Sequence, residues 1–158
     1  MFLMKHIILQ IHKFFLKNKK TISVAESCTG GLLSTLLTQA SGSSKFFILG
    51  VVAYNNKVKS SILKVPPGLI ARKGAVSKEV AIKMCQGVRK LAKTDFALAI
   101  TGIAGPTGGS PTKPVGTVFI AASNKNKTLV RKFNFKGNRS SIRKKSALKS
   151  LELLKKLF

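Results

Sequence analysis

The heptapeptide AESCTGG at residues 25–31 constrains the architecture of this chain more than any other segment. It follows a short apolar run, residues 21–24, that predicts a strand, and it precedes residues 32–39, which predict a helix. Two adjacent glycines at such a turn let backbone N–H groups approach a ligand closely, and a helix start presents the positive end of a dipole. The segment therefore predicts either a tight polar turn or a site that stabilises a developing oxyanion.

Three side chains of this turn could act as a nucleophile: Ser27, Cys28 and Thr29. Ser27 fits that role at a strand-to-helix turn, and its alternative role is that of a helix N-cap. Cys28 could be a thiolate activated at the helix start, but we favour a small buried side chain at this position. Glu26 could bind a group of the ligand or pair with a lysine, and both interpretations stay open.

The scarcity of histidines and acids narrows the chemistry further. Among 158 residues there are only two histidines, His6 and His12, and four acidic residues. They form no cluster with metal-ligand spacing, and they offer little to a two-carboxylate mechanism or to a Ser-His-Asp triad. An enzyme built on Ser27 is therefore expected to need no metal and no other cofactor, and to use a lysine or a tyrosine as its base.

The net charge of +25 arises from 29 basic residues against four acidic ones. Such an excess favours nucleic-acid binding. However, only five of the basic residues are arginines, and no basic segment is interleaved with aromatic residues that could stack on bases. Lys, Asn, Ile and Phe are all plentiful, as is typical of an AT-rich coding sequence. We therefore expect nucleic-acid binding to be only nonspecific and sensitive to salt.

Residues 1–20 carry apolar side chains at close to helical spacing, which predicts an amphipathic helix packed on the domain. A helix lying on a membrane surface is the minority alternative. The segment is too short and too charged to span a membrane, and it has no cleavage site of the signal-peptide type. Two cysteines are too few for a disulfide framework, so we expect a reducing, cytoplasmic location.

The rest of the chain alternates between strand and helix patterns. Residues 46–54 form a continuous apolar run typical of a buried strand, and Pro66-Pro67-Gly68 is expected to break the segment that follows. Ser77 is expected to N-cap a helix that ends at residue 92. Further strands are predicted at 96–100, 115–122 and 128–135, and a last helix begins at 137. These patterns predict a single α/β domain over residues 1–158, with three layers in which a central mixed sheet is flanked by helices.

Three predicted strands end in polar or glycine-rich turns, after residues 24, 54 and 100. Ligands of open α/β sheets bind beyond the carboxyl ends of strands. These turns would therefore bring together Ser27, Tyr54, Lys59 and Thr101. The loop 102–109 could cradle a phosphate with its backbone N–H groups or serve only as a connection. Candidate cationic partners of a phosphate are Lys113 and Arg139.

Six segments, in this order and spacing, closely resemble the CinA C-terminal-domain family. They are AESCTGG, the Tyr-x-Asn-x-x-Lys segment at 54–59, GAVS at 74–77, TGIAGPTGG at 101–109, KPVGTV at 113–118, and Phe-x-Gly-x-Arg at 135–139. The resemblance covers about residues 6–158. The family includes stand-alone amidases. The resemblance therefore implies deamidation of nicotinamide mononucleotide to nicotinate mononucleotide and ammonia, in pyridine-nucleotide salvage.

The resemblance also implies roles for individual residues. Ser27 matches the nucleophile, and Lys59 and Tyr54 match the lysine and the tyrosine of the second motif. Lys59 as a base requires a pKa well below its ordinary value, and Tyr54 would relay a proton or orient the amine. Expected substrate-binding residues are Gly30, Gly31, Thr101, Gly102, Gly105, Lys113 and Arg139. The competing hypotheses are a surface lysine at position 59 and, for the whole chain, a noncatalytic competence- or nucleic-acid-associated protein; a homo-oligomer stays open.

Overall fold

The computed structural model describes the backbone of residues 2–158 and the side chains from Lys5 onward. The strands are β1 (Ile22–Glu26), β2 (Phe47–Val52), β3 (Phe96–Gly102), β4 (Thr117–Ser123) and β5 (Thr128–Asn134). The helices are α1 (Phe2–Asn18), α2 (Leu32–Leu37), α3 (Asn56–Ser61), α4 (Pro67–Lys73), α5 (Lys78–Ala92) and α6 (Arg139–Leu154). Short 3-10 turns lie at Ser43–Lys45 and Lys155–Leu157.

The five strands form one mixed sheet in the order β2-β1-β3-β4-β5. β1 pairs in parallel with β2 and β3, whereas β4 runs antiparallel to β3 and β5. Helices α1, α2 and α6 pack on one face of the sheet, and α5 packs on the other. The prediction of a single α/β domain with a central mixed sheet between helical layers is therefore confirmed.

Strand β3 shows how the sequence divides the two cores. Its alternate side chains point to opposite faces of the sheet. Leu98 and Ile100 join the larger core beneath α1, α2 and α6, whereas Ala97 and Ala99 face α5. The small alanines let α5 pack closely through Val80, Met84 and Val88, all of which are fully buried.

Helix α1 lies on the domain through one apolar face. Ile7, Ile8, Ile11 and Phe15 are buried, and they belong to the same core as the sheet-facing side of α6. The opposite face exposes Leu9 and charged residues. Within residues 2–158, no helix combines the length and the apolar composition that crossing a membrane would require.

The apolar run at 46–54 does not form a fully buried strand. β2 lies at the edge of the sheet and pairs only with β1, so its burial alternates along the strand. Ile48 and Val52 are 49% and 47% exposed. A continuous apolar run is compatible with an edge position as well as a central one, because the order of strands depends on contacts between distant segments.

Two short helices follow β2 that the sequence patterns did not predict. α3 begins after Asn55, whose side chain accepts a hydrogen bond from the Lys57 N–H at 2.8 Å. The Pro-Pro-Gly segment separates α3 from α4, and Pro67 is the first residue of α4. Proline is favoured there, since the first N–H of a helix has no partner within the helix. α3 brings Lys59 back toward the end of the sheet.

Candidate active site

The carboxyl ends of β2, β1 and β3 meet at one edge of the sheet because these strands are parallel. The Ser27 N–H donates to the Ile100 carbonyl oxygen at 3.0 Å, which fixes the start of the AESCTGG turn beside β3. The Ala53 N–H donates to the Glu26 carbonyl oxygen at 2.8 Å. The segments that follow all three strands therefore surround Ser27.

Lys59 approaches Ser27 from α3. Its Nζ lies 3.2 Å from Ser27 Oγ and donates to the Ala53 carbonyl oxygen at 2.9 Å. Lys59 is only 2% exposed, and Ser27 is buried as well. Position 59 therefore does not hold one more surface lysine. The structure brings together the serine and the lysine that the sequence motifs nominated.

The environment of Lys59 lowers the pKa of its amine. Burial lowers its pKa from the usual 10.5, because removing an ammonium ion from water is unfavourable, and the nearby Cys28 opposes this shift. Among the side chains that the structure describes, the ion pairs are Lys20–Asp95, Lys73–Glu79 and Lys149–Glu152, so none involves Lys59. A buried lysine without a carboxylate beside it is suited to accept a proton.

Burial makes the Cys28 thiol harder to ionise. It is 6% exposed, and burial raises its pKa to about 11, although its own N–H and the charges of Arg139 and Arg143 act in the other direction. A Cβ atom added at Gly102 would lie 3.1 Å from its Sγ. These observations support a packed side chain rather than an activated nucleophile at position 28.

Glu26 serves neither of the roles left open by the sequence. Its fully buried carboxylate accepts bonds from the N–H groups of Gly31, Leu33 and Ser34 and from the Ser34 hydroxyl, at 2.7 to 3.1 Å. These donors belong to the first turn of α2, whose N–H groups lack partners within the helix. Glu26 therefore anchors α2 and holds the turn around Ser27.

Arg143 was missed by the sequence analysis. From α6, its Nε and Nη2 donate to the Thr29 carbonyl oxygen at 3.3 and 2.7 Å. Glycine suits position 30 beside it, because an added Cβ would lie 3.3 Å from Nη2 and the residue has a φ of +59°. The available signal was its spacing of four residues from Arg139, which places both side chains on one face of a helix.

Tyr54 is bonded to Arg139 rather than to Lys59. Its side chain is 58% exposed, and its hydroxyl accepts a hydrogen bond from Arg139 Nη2 at 2.6 Å. Arg139 Nη1 also donates to the Gly105 carbonyl oxygen at 2.8 Å. Arg139 therefore joins the end of β2 to the glycine-rich loop. In this structure the Ala53 carbonyl, rather than the Tyr54 hydroxyl, orients the Lys59 amine.

The remaining predicted binding residues divide into two groups. Thr101 is buried, and its hydroxyl donates to the Ala75 carbonyl oxygen at 2.8 Å. Lys113 Nζ donates to the Lys73 carbonyl oxygen at 2.8 Å. Both side chains thus tether the segment around residues 74–77 rather than Ser27. Gly102 lies at the end of β3, close to Cys28.

The turn after Ser27 presents unused backbone donors. Within the described backbone, neither the Cys28 N–H nor the Thr29 N–H donates to a carbonyl oxygen, and the Cys28 N–H acts only on its own thiol; the Gly30 N–H donates to the Ser27 carbonyl oxygen at 3.1 Å. Gly31, with a φ of +95°, then leads into α2. Two free N–H groups next to a serine form an arrangement that can receive an oxyanion.

Two further observations concern possible metal and ligand sites elsewhere in the described residues. From Lys5 to Phe158, no three His, Cys, Asp or Glu side chains come together in a group that could hold a metal ion. A cavity of about 600 Å³ lies on the outer side of α3 and α4, and Ser27 and Lys59 do not line it.

Comparisons with known proteins agree with this architecture. The chain is 36% identical to the competence/damage inducible protein CihA from Agrobacterium tumefaciens, with a TM-score of 0.95 over 98% of this chain and 94% of that one. It is 30% identical to a CinA superfamily protein from Escherichia coli, with a TM-score of 0.93 over 98% of this chain and 90% of that one.

Curated sequence relatives carry related names. A CinA-like protein from Thermotoga neapolitana is 49% identical over 153 residues, which are 97% of this chain and 36% of that protein. The chain thus spans about a third of the length of the curated relatives it matches. The profile described as the CinA C-terminal domain matches residues 4–158. On this match and these solved structures, the chain belongs to the CinA C-terminal domain family.

Proposed function

We propose that this chain is an amidohydrolase that converts nicotinamide mononucleotide to nicotinate mononucleotide and ammonia through an acyl-enzyme on Ser27. The distance of 3.2 Å between the buried Lys59 Nζ and Ser27 Oγ carries this proposal. A nucleophile within hydrogen-bonding distance of a base is the geometry of covalent acyl transfer. The choice of substrate rests on the resemblance to family members that act on this mononucleotide.

In the first step, neutral Lys59 accepts the proton of Ser27 while Oγ attacks the carboxamide carbon. The tetrahedral intermediate collapses as Lys59 returns this proton to the amide nitrogen, and ammonia leaves. Water then attacks the acyl-enzyme and gives its proton to Lys59, which passes it back to Ser27 as the acid is released. The Ala53 carbonyl holds one N–H of the amine, so the nitrogen lone pair can point at Ser27.

The negative charge of the intermediate needs donors that are already in place. The Cys28 and Thr29 N–H groups directly follow the nucleophile, and they have no other acceptor in the described backbone. Such preorganised donors stabilise an oxyanion without reorganising during the reaction. We assign the oxyanion site to these two N–H groups.

An anionic mononucleotide suits the charges around the turn. Arg139 and Arg143 both act electrostatically on Cys28, and Arg139 also contacts the loop after β3. A guanidinium binds phosphate oxygens with two parallel hydrogen bonds. Arg139 is therefore the first candidate to bind the substrate phosphate. Its hydrogen bond to the Tyr54 hydroxyl would then be replaced by bonds to the phosphate.

The decisive experiment is the release of ammonia from nicotinamide mononucleotide by the purified chain and by Ser27→Ala. Nicotinamide riboside, which lacks the phosphate, serves as a matched substrate. We expect turnover of the mononucleotide, much weaker turnover of the riboside, and none by Ser27→Ala. A folded chain that releases no ammonia, or a Ser27→Ala variant that does so at the normal rate, contradicts the proposal and favours the noncatalytic alternative or another nucleophile.

A further inference from the structure

Arg143 is connected by hydrogen bonds to the proposed oxyanion site. Its guanidinium donates twice to the carbonyl of the Thr29–Gly30 peptide, and the N–H of that peptide donates to the Ser27 carbonyl. The Ser27 carbonyl belongs to the peptide that ends in the free Cys28 N–H. Two consecutive peptide units therefore join the cation to the N–H that would meet the substrate.

The direction of these bonds determines their effect. In a trans peptide the C=O and the N–H point in opposite directions, so both peptide dipoles have their negative ends toward Arg143. A charge-assisted bond polarises the first peptide, which makes the Gly30 N–H a stronger donor to the Ser27 carbonyl. That bond in turn polarises the second peptide and increases the positive charge on the Cys28 N–H.

We infer that Arg143 is a positioning residue for the proposed amidase, which orients and polarises the Cys28 N–H toward the oxyanion. The inference rests on the proposed function. Arg143 transfers no proton and forms no bond to the substrate in this role. The oxyanion forms only after the ground state, as the substrate approaches the transition state. Loss of Arg143 therefore lowers kcat and leaves KM nearly unchanged.

An arginine is specifically suited to this position. The carbonyl oxygen of Thr29 accepts from both Nε and Nη2, and a lysine has no such planar pair of donors. Gly30 leaves the space that the guanidinium occupies, since an added Cβ would lie 3.3 Å from Nη2. The charge of Arg143 also reaches the turn itself, because it lowers the pKa of Cys28 against the effect of burial.

The test compares Arg143→Gln and Arg143→Lys with Lys144→Gln, which removes an exposed charge from the next residue of the same helix. Arg143→Gln should lower kcat for ammonia release about tenfold or more, less than the roughly 10²–10³-fold effect of deleting an oxyanion donor itself. Arg143→Lys should be intermediate, and Lys144→Gln should match the wild type. Added guanidinium ion should restore part of the rate to Arg143→Ala.

A purely structural role would produce a different pattern. A loss of activity that follows the folded fraction in thermal melts, or a raised KM with unchanged kcat, overturns the inference, as does an Arg143→Gln variant with wild-type kcat. Rescue of Arg143→Ala by guanidinium with its melting temperature unchanged supports it.

A second readout separates this inference from the proposed function. If the wild type releases no ammonia from the mononucleotide, the amidase proposal fails. The role of Arg143 is then tested by the rate at which a fluorophosphonate labels Ser27. In labelling, Ser27 Oγ bonds to phosphorus, fluoride leaves, and the serine proton goes to Lys59. Slower labelling of Arg143→Gln than of Lys144→Gln supports the role of Arg143, and equal rates contradict it.

Discussion

Lys59 and Ser27 are 32 residues apart in the chain, yet the lysine Nζ lies 3.2 Å from the serine Oγ beyond the carboxyl ends of the parallel strands. A strand pairing and a short helix produce this approach. β1 and β2 run in parallel, so the chain leaves both strands at the same edge. Helix α3, capped by Asn55, then turns Lys59 inward beneath the Ala53 carbonyl.

Replacement of the base tests this relationship directly. Lys59→Met keeps the apolar stem and removes the amine, so kcat should fall roughly 10²–10⁴-fold, the usual effect of losing a general base. Lys83→Met, on the exposed surface of α5, is the matched control and should retain wild-type kcat. A Lys59→Met enzyme with an undiminished steady-state rate would show that the serine proton goes elsewhere.

The pH dependence follows from the lowered pKa of Lys59. Only the neutral amine accepts a proton, so kcat should rise with pH through the lowered pKa and then level off, and Lys59→Met should lack this rise.

The lowered pKa of Lys59 also makes the stability of the fold depend on pH. Between the lowered pKa and the usual 10.5, the unfolded chain binds more protons than the folded one. The stability of the wild type relative to Lys59→Met should therefore increase with pH across this window, as urea titrations at several pH values would measure. A pH-independent difference would mean that Lys59 has an ordinary pKa.

Cys28 should be dispensable for the chemistry. Its pKa of about 11 leaves almost no thiolate at neutral pH, and the thiol packs against Gly102. Cys28→Ala should therefore retain most of the kcat while Ser27→Ala loses it, as assays of ammonia release would show. Loss of turnover in a fully folded Cys28→Ala protein would move the nucleophile to the thiol.

Glu26 should matter for stability. Glu26→Gln leaves one side-chain oxygen to serve four donors and places an NH₂ group among them, so unfolding should become easier by about 1–3 kcal/mol. Glu152→Gln, which breaks a partly exposed ion pair with Lys149, should change stability by about 0–1 kcal/mol. Denaturant titration of both variants gives the comparison, and equal effects would contradict an anchoring role for Glu26.

Tyr54 should act through Arg139. Tyr54→Phe removes the hydroxyl that accepts from Arg139, so it should change KM for the mononucleotide and leave the pH midpoint of kcat in place. Steady-state kinetics at several pH values separate the two effects. A shift of that midpoint in Tyr54→Phe would show that the phenol does act on Lys59, as the sequence motif had indicated.

The local signals in the sequence were sufficient for part of this molecule. Alternation of apolar runs with turns predicted the α/β class, and the strand–turn–helix pattern of AESCTGG placed Ser27 at the carboxyl edge of the sheet. The lysine was nominated by the resemblance of the Tyr54–Lys59 segment to a family motif. Each of these inferences depends on residues that are close in sequence, where backbone propensity and turn chemistry act directly.

Tertiary structure decided the rest, because the decisive contacts join segments that are far apart in sequence. The edge position of β2, the burial of Lys59 and its lowered pKa all depend on which elements pack together. The bond from Arg143 to Thr29 spans 114 residues, and that from Arg139 to Tyr54 spans 85. No periodicity or spacing within a single segment encodes such pairings, since they arise only when α6 docks on the sheet.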